Sequence, residues 1–223
     1  MRIEDTIFWV GHACFYIKAN DTTIFIDPFK VNSKIQEKAD LVLITHAHFD
    51  HYSRADIDKI SKQGTKFIFA NECLHQSKAD HNVLGIASPG FKKTFDGIKI
   101  EAVPAYNNIS ERASYHPKAK DWIGYIIDVD GTRIYHAGDT DRIPEMGELK
   151  DIDVALLPMG GTYTMTLAEG IEAAELIKPK SVVPMHYKML LGESGSRELE
   201  KGIKSKLSNA HIMNEVQDPV YSF

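Results

Sequence analysis

Hydrophobic positions along this chain come in short extended runs more often than in helical stripes. TIFWV, ACFYI and TTIFID open it, rich in aromatic and β-branched residues and divided by Gly11-His12 and by an Asn20-Asp21 turn. They predict a β meander. LVLIT, Leu41 to Thr45, reads as a fully buried strand. Ser53 to Gly64 (SRADIDKISKQG) then reads as a helix, with Ser53 as N-cap and Asp56 three residues on. KFIFA predicts a further strand and Glu72 to Ala79 a second helix. Asp96-Gly97 joins KKTF to IKIEAVP, and Asp130-Gly131 joins WIGYIIDV to TRIYHA, both as hairpins. Beyond them stand a DVALLPM strand, a TLAEGIEAAELI helix with a Thr166/Glu169 capping box, and an SVVPMH strand whose last residue is His186. Strands, strand–helix alternation, hairpins and alternation again describe two similar halves, each a mixed sheet with helices on its outer side. Periodicity alone supports an α/β chain and nothing finer.

Composition narrows the function classes. With 223 residues, 43% of them hydrophobic, the chain is expected to form one domain over residues 1–223. A net charge of -5 and a pI near 6.1 argue against generic attachment to nucleic acid or to anionic lipid. The start of the chain carries Glu4, Asp5 and His12 and lacks the uninterrupted apolar segment of a secretory signal, so a soluble cytoplasmic protein without a membrane role is expected. Cys14 and Cys73 are too few for a disulfide framework and read as small buried thiols.

The candidate chemistry starts at HAHFDH, His46 to His51, directly behind the LVLIT run. Residues two apart at the end of an extended segment point to one side, so His46 and His48 can chelate one ion together. Asp50 and His51 fall in the turn before the Ser53 helix, where the reversing chain can aim them at a second, adjacent ion. A polar loop whose histidines only cap and solvate has little need for so many nitrogen donors.

HAHFDH resembles the HxHxDH metal signature of the metallo-β-lactamase superfamily, and the resemblance extends over nearly the whole chain. FIDPF, with Asp27, is similar to the family's first motif, whose aspartate supports the ligands from behind. HAGDT, with Asp139, resembles the motif whose aspartate bridges both metals, and PMHY, with His186, the one whose histidine completes the second site. Taken alone, Asp27 and Asp139 read equally as turn residues and His186 as a core histidine; family order is what links them. His12 and His136, among apolar residues, read as supporting or core groups. The resemblance implies a four-layer αββα sandwich, two mixed sheets packed face to face with helices outside. It also implies hydrolysis by a metal-bound hydroxide, with Asp50 orienting that hydroxide or receiving its proton. Nitrogen and oxygen donors without thiolate suit zinc first, with manganese or iron as alternatives.

WVGHACFYI, IYHAGDTD and LLPMGGTYTM look most like the branch that holds ascorbate-phosphate lactonase and N-acyl phosphatidylethanolamine phospholipase D. That branch implies a small anionic substrate: a phosphodiester, a phosphorylated lactone or a related ester. Arg112, Lys118 and Lys188 lie near motif segments and are candidates for a phosphate, although surface cations are the commoner outcome. A metal-poor binding or scaffolding protein on the same fold is the alternative reading, an iron oxidoreductase a third, and a homo-oligomer is compatible with each. Two features need geometry. GGTYTM, Gly160 to Met165, and the segment Asn107 to Asp121 are expected to border the cleft. Where the family carries a third histidine at P-A-x-H, this chain reads Pro104-Ala105-Tyr106-Asn107. His116 is the obvious substitute, as a ligand, a general acid or a substrate contact, against the alternative of an exposed loop histidine.

Overall fold

The opening meander forms where the β-branched and aromatic runs predict it. In a computed structural model that describes residues 6–19, 21–77 and 81–216, β1 (Ile7–Gly11), β2 (Cys14–Ala19) and β3 (Thr22–Ile26) pair antiparallel. Three parallel strands extend the sheet: β4 (Leu41–Ile44), β5 (Lys66–Ala70) and β6 (Asn82–Ala87), in the order β1-β2-β3-β4-β5-β6. β4 is buried at all of its positions, as a strand between parallel neighbours must be. β6 escapes the sequence reading because it is an edge strand, half-exposed and interrupted by Gly85.

Two helices of this half are shorter than the sequence predicts. α1 (Arg54–Ile60) starts on its Ser53 cap but ends at Ser61, before Gly64. Thr65 Oγ1 accepts the Lys62 N–H at 2.9 Å and donates to the Ala39 carbonyl at 2.6 Å, which closes a turn through Gly64 at φ +92°. The expected helix from Glu72 to Ala79 is a 3₁₀ segment, Asn71–Gln76; Lys78 and Ala79, like Asn20 of the first turn, lie outside the described residues.

The second sheet repeats the plan. β7 (Lys92–Phe95), β8 (Ile98–Pro104), β9 (Ile123–Val129) and β10 (Thr132–His136) run antiparallel, and β11 (Val154–Pro158) and β12 (Ser181–Met185) continue in parallel. α2 (Leu167–Ile177) carries the complete capping box between Thr166 and Glu169. A third helix, α3 (Lys188–Lys206), is absent from the sequence reading, because it is polar on most faces, buries only Ser196, Leu199 and Ile203, and is broken by non-helical backbone at Gly192. The described residues up to Ala87, with Met213 to Val216, form one compact unit, and Ser88–Ile212 the other. Among the described residues no helix is long and apolar enough to cross a membrane.

Between β8 and β9 the chain runs irregularly from Ala105 to Trp122, and buried charge holds it in place. Arg112, 8% exposed, sets one nitrogen, Nη2, 2.8 Å from Asp141 Oδ1 and 2.7 Å from Glu169 Oε1. Asp141 Oδ2 accepts the N–H groups of Asn108 at 2.9 Å and Ile109 at 3.0 Å. Further on, Lys118 Nζ lies 3.0 Å from Glu145 and 3.1 Å from the Tyr106 hydroxyl. Arg112 and Lys118 are therefore paired with carboxylates of their own unit. Burial pushes the Glu169 carboxyl up, but Arg112 and the Thr166 cap outweigh it and hold it below the usual carboxylate range.

Two outcomes follow for stability. Gly124, in β9, would direct a Cβ to within 2.6 Å of the His136 carbonyl oxygen and 2.8 Å of that of Ala137. Gly124→Ala must therefore displace backbone, and thermal melting should show a loss of about 1–3 kcal/mol. Arg112→Ala leaves Asp141 buried beside an unmatched carboxylate and should cost about 2–3 kcal/mol in chemical denaturation, the low side for a buried pair because Glu169 is partly wet. Glu169 is depressed on folding, so its contribution is full above its unfolded pKa and is lost as pH falls through its folded one. The wild-type advantage over Arg112→Ala should shrink in that acid window.

Candidate metal centre

In the first unit the site grows from one buried carboxylate. Asp27 follows β3 at φ 46°, fully buried, with Oδ1 accepting the Thr45 N–H at 2.8 Å. Its Oδ2 lies 2.6 Å from Thr45 Oγ1 and 2.7 Å from His51 Nδ1. A carboxylate only accepts, so both groups donate to it. With its proton committed, the Thr45 hydroxyl accepts from His46 Nδ1, 2.9 Å away. Asp27 thus sets the tautomers of two histidines together, with the proton of each on Nδ1 and Nε2 left as an acceptor. The His46 and His51 rings lie 4.0 Å apart, and His46 Nε2 is 3.1 Å from His48 Nδ1.

Asp50 and His12 complete this group. His12, at the β1–β2 turn with φ 52°, donates from Nε2 to Asp50 Oδ2 at 3.0 Å, while its carbonyl accepts from Trp9 Nε1 at 3.0 Å. His12, Asp50 and His51 each offer a ligand atom within 4.8 Å of the others. The supporting role expected of His12 is this bond, and neither it nor the Thr45 relay is visible in the motif.

In the second unit Asp139 is the meeting point. Its Oδ2 lies 3.1 Å from His186 Nε2 and 3.2 Å from His116 Nε2, and all three residues are at most 3% exposed. β12 ends at Met185, one residue short of the expected strand end, and His186 follows it in a bend at φ 62°. Gly160 packs on it: a Cβ there would stand 2.7 Å from the His186 carbonyl oxygen. His116 is buried rather than an exposed loop residue, and Asn107 explains how. Asn107 Nδ2 donates to the Tyr163 carbonyl at 3.1 Å, which turns Oδ1 toward His116 Nδ1 at 2.7 Å. The amide fixes the ring and leaves Nε2 pointing at Asp139. The same bond joins the Gly160–Met165 loop to the Asn107 segment. His136 accepts the Gly138 N–H on Nδ1 at 3.2 Å, a structural role in the turn that delivers Asp139.

Donor pairs in each unit have the spacing of two ligands on one divalent cation. Tetrahedral ligands ~2.0–2.1 Å from zinc stand about 3.3 Å from one another, close to the His46–His48 separation and to both imidazole–Asp139 separations. Among the described residues no cysteine joins such a group, and burial pushes both thiols up, away from the thiolate form a ligand needs.

Comparison with known proteins gives the family. Residues 6–186 match the model of the β-lactamase superfamily domain. A UPF0173 metal-dependent hydrolase of Archaeoglobus fulgidus is 36% identical over 217 residues, which cover 90% of this chain and 91% of that protein. A crystal structure from Parabacteroides distasonis, named as a metal-dependent hydrolase, superposes with a TM-score of 0.81 at 37% identity, covering 95% of this chain and 93% of the other. One from Thermotoga maritima, named as a zinc-dependent hydrolase of the metallo-β-lactamase superfamily, gives 0.56 at 30% identity over 82% and 76%. A family model that runs through both six-stranded sheets, with relatives alike over nine-tenths of their length, places the chain in the β-lactamase superfamily, among its UPF0173 metal-dependent hydrolases.

Proposed function

We propose that this chain hydrolyses an ester bond in a small anionic substrate, a phosphodiester, phosphorylated lactone or related ester. In this reading His46, His48, Asp50, His51, Asp139 and His186 hold one or two divalent cations, zinc first, with manganese or iron as alternatives. The observation that carries it is the pre-set orientation of the donors: Asp27 turns His46 and His51, and Asn107 turns His116, so that Nδ1 of each holds the proton and Nε2 is left as the coordinating nitrogen. Metal-ligating histidines characteristically give their other ring N–H to an acceptor of this kind. The names of the relatives support the same reading.

When bound, such cations lower the pKa of a water from ~15.7 to ~7 and neutralise charge on the ester oxygens. Hydrolysis joins the oxygen of a water to phosphorus or to a carbonyl carbon, breaks the bond to the leaving oxygen and returns one proton to it. Asp50, oriented by His12, receives or steers the proton of the attacking water. His116, positioned by Asn107, serves in place of the family's third histidine as a ligand, a general acid or a substrate contact.

The decisive experiment is metal content of protein purified without added metal, followed by assay against bis-p-nitrophenyl phosphate and a set of lactones. Bound metal with turnover is expected; little or no bound metal, with no turnover on any ester, would favour the metal-poor binding-protein alternative. Asp139→Asn should lower both metal content and turnover, and an unchanged variant would remove Asp139 from the centre. His116→Ala should lower turnover by at least ~10²-fold, the low end for losing a positioned acid or base. Lost metal in that variant identifies ligation, and retained metal identifies substrate or proton chemistry.

A further inference from the structure

Large apolar side chains left in water cost about 25 cal/mol per Å² of surface that could have been buried, so a concentration of them at one place calls for a reason. In the second unit, Ile109, Tyr115, Tyr163, Met189 and Leu191 are each more than a third exposed. All sit on segments tied to the residues around Asp139: Ile109 and Tyr115 on the segment of His116, Tyr163 on the loop bonded to Asn107, Met189 and Leu191 just after His186.

Two of them form a defined shape. The rings of Tyr115 and Tyr163 meet at 89° with centroids 4.8 Å apart, an edge-to-face pair that makes a right-angled corner. Both are anchored through the backbone. Tyr163 accepts Asn107 Nδ2 on its carbonyl, and Tyr115 gives its N–H to the Arg112 carbonyl at 2.9 Å and is the direct neighbour of His116. The cations three residues to either side of Tyr115, Arg112 and Lys118, are ion-paired inside the unit. Next to His116 this segment therefore offers aromatic faces, where the sequence suggested a phosphate clamp.

We propose that Tyr115 and Tyr163 form a substrate-binding corner that takes a flat apolar substituent, which makes aryl-bearing phosphoesters and lactones the preferred substrate class. The proposal deepens the hydrolase reading and rests on it for turnover alone. A planar group stacks on one ring while its edge meets the other, an interaction of about one order of magnitude in affinity.

The test compares phenylphosphonate with methylphosphonate by calorimetry on the metal-loaded full chain. The two share one anionic head, so the contribution of the metal cancels in the ratio. Phenylphosphonate should bind about 10-fold more tightly. Tyr115→Ala and Tyr163→Ala should each lower that ratio at least ~3-fold, and Tyr163→Phe, which keeps the ring, should retain it. Equal affinities in the wild type, or a ratio unmoved by both alanine variants, would overturn the proposal. Hydrolysis of p-nitrophenyl phenyl phosphate, followed in parallel, separates the two readings. No turnover with a tyrosine-dependent phenyl preference sinks the hydrolase reading and leaves the corner standing. Turnover with phenyl and methyl bound alike does the reverse.

Discussion

The candidate metal-binding side of the first unit hangs on a single carboxylate with no access to water. Asp27 takes a backbone N–H, a hydroxyl and an imidazole N–H, and each of these bonds fixes something the site needs. The Thr45 amide holds the end of β4 beside the end of β3; the hydroxyl passes the constraint to His46; the imidazole bond fixes His51. A buried acceptor that must be satisfied is a stronger positional device than apolar packing, because each of its bonds has a direction and leaving one unmade costs about 1–3 kcal/mol. Losing the carboxylate would therefore release two histidines at once.

The second unit solves the same problem with a neutral amide. Asn107 cannot supply the charge of Asp27, but its two ends differ chemically, and the Tyr163 carbonyl decides which one faces His116. The cost of this arrangement is the long excursion from Ala105 to Trp122, which needs its own anchorage. The buried Arg112 bridge provides it, tying the excursion to Asp141 two residues beyond Asp139 and to the first turn of α2.

Those differences mark the boundary of what the sequence reveals. Strands of the meander, both DG hairpins and the capping box of α2 are local in origin, set by β-branching, turn chemistry and a three-residue spacing, and all are legible. β6 and α3 are not, because an exposed edge strand and a largely polar helix carry weak periodicity and are held by neighbours distant in sequence. Ligand candidates within HAHFDH and the oddity at Asn107 can be read from spacing and from family order. What Asn107 does cannot, since its meaning depends on a tyrosine carbonyl 56 positions away. Arg112 was misleading for the same reason: a lone arginine in a loop looks like a surface charge until Asp141 and Glu169 fold around it.

Asp27, His12 and His186 share one further property, backbone at positive φ, where a side chain costs roughly 1–2 kcal/mol that glycine would not incur. At His12 and His186 glycine would relax the backbone but remove an imidazole; at Asp27 it would also strand three buried donors, which outweighs the strain relieved. The left-handed turn at Asp27 is thus held by the same three bonds that orient the histidines, so a relaxed backbone there and a disordered donor set would arrive together.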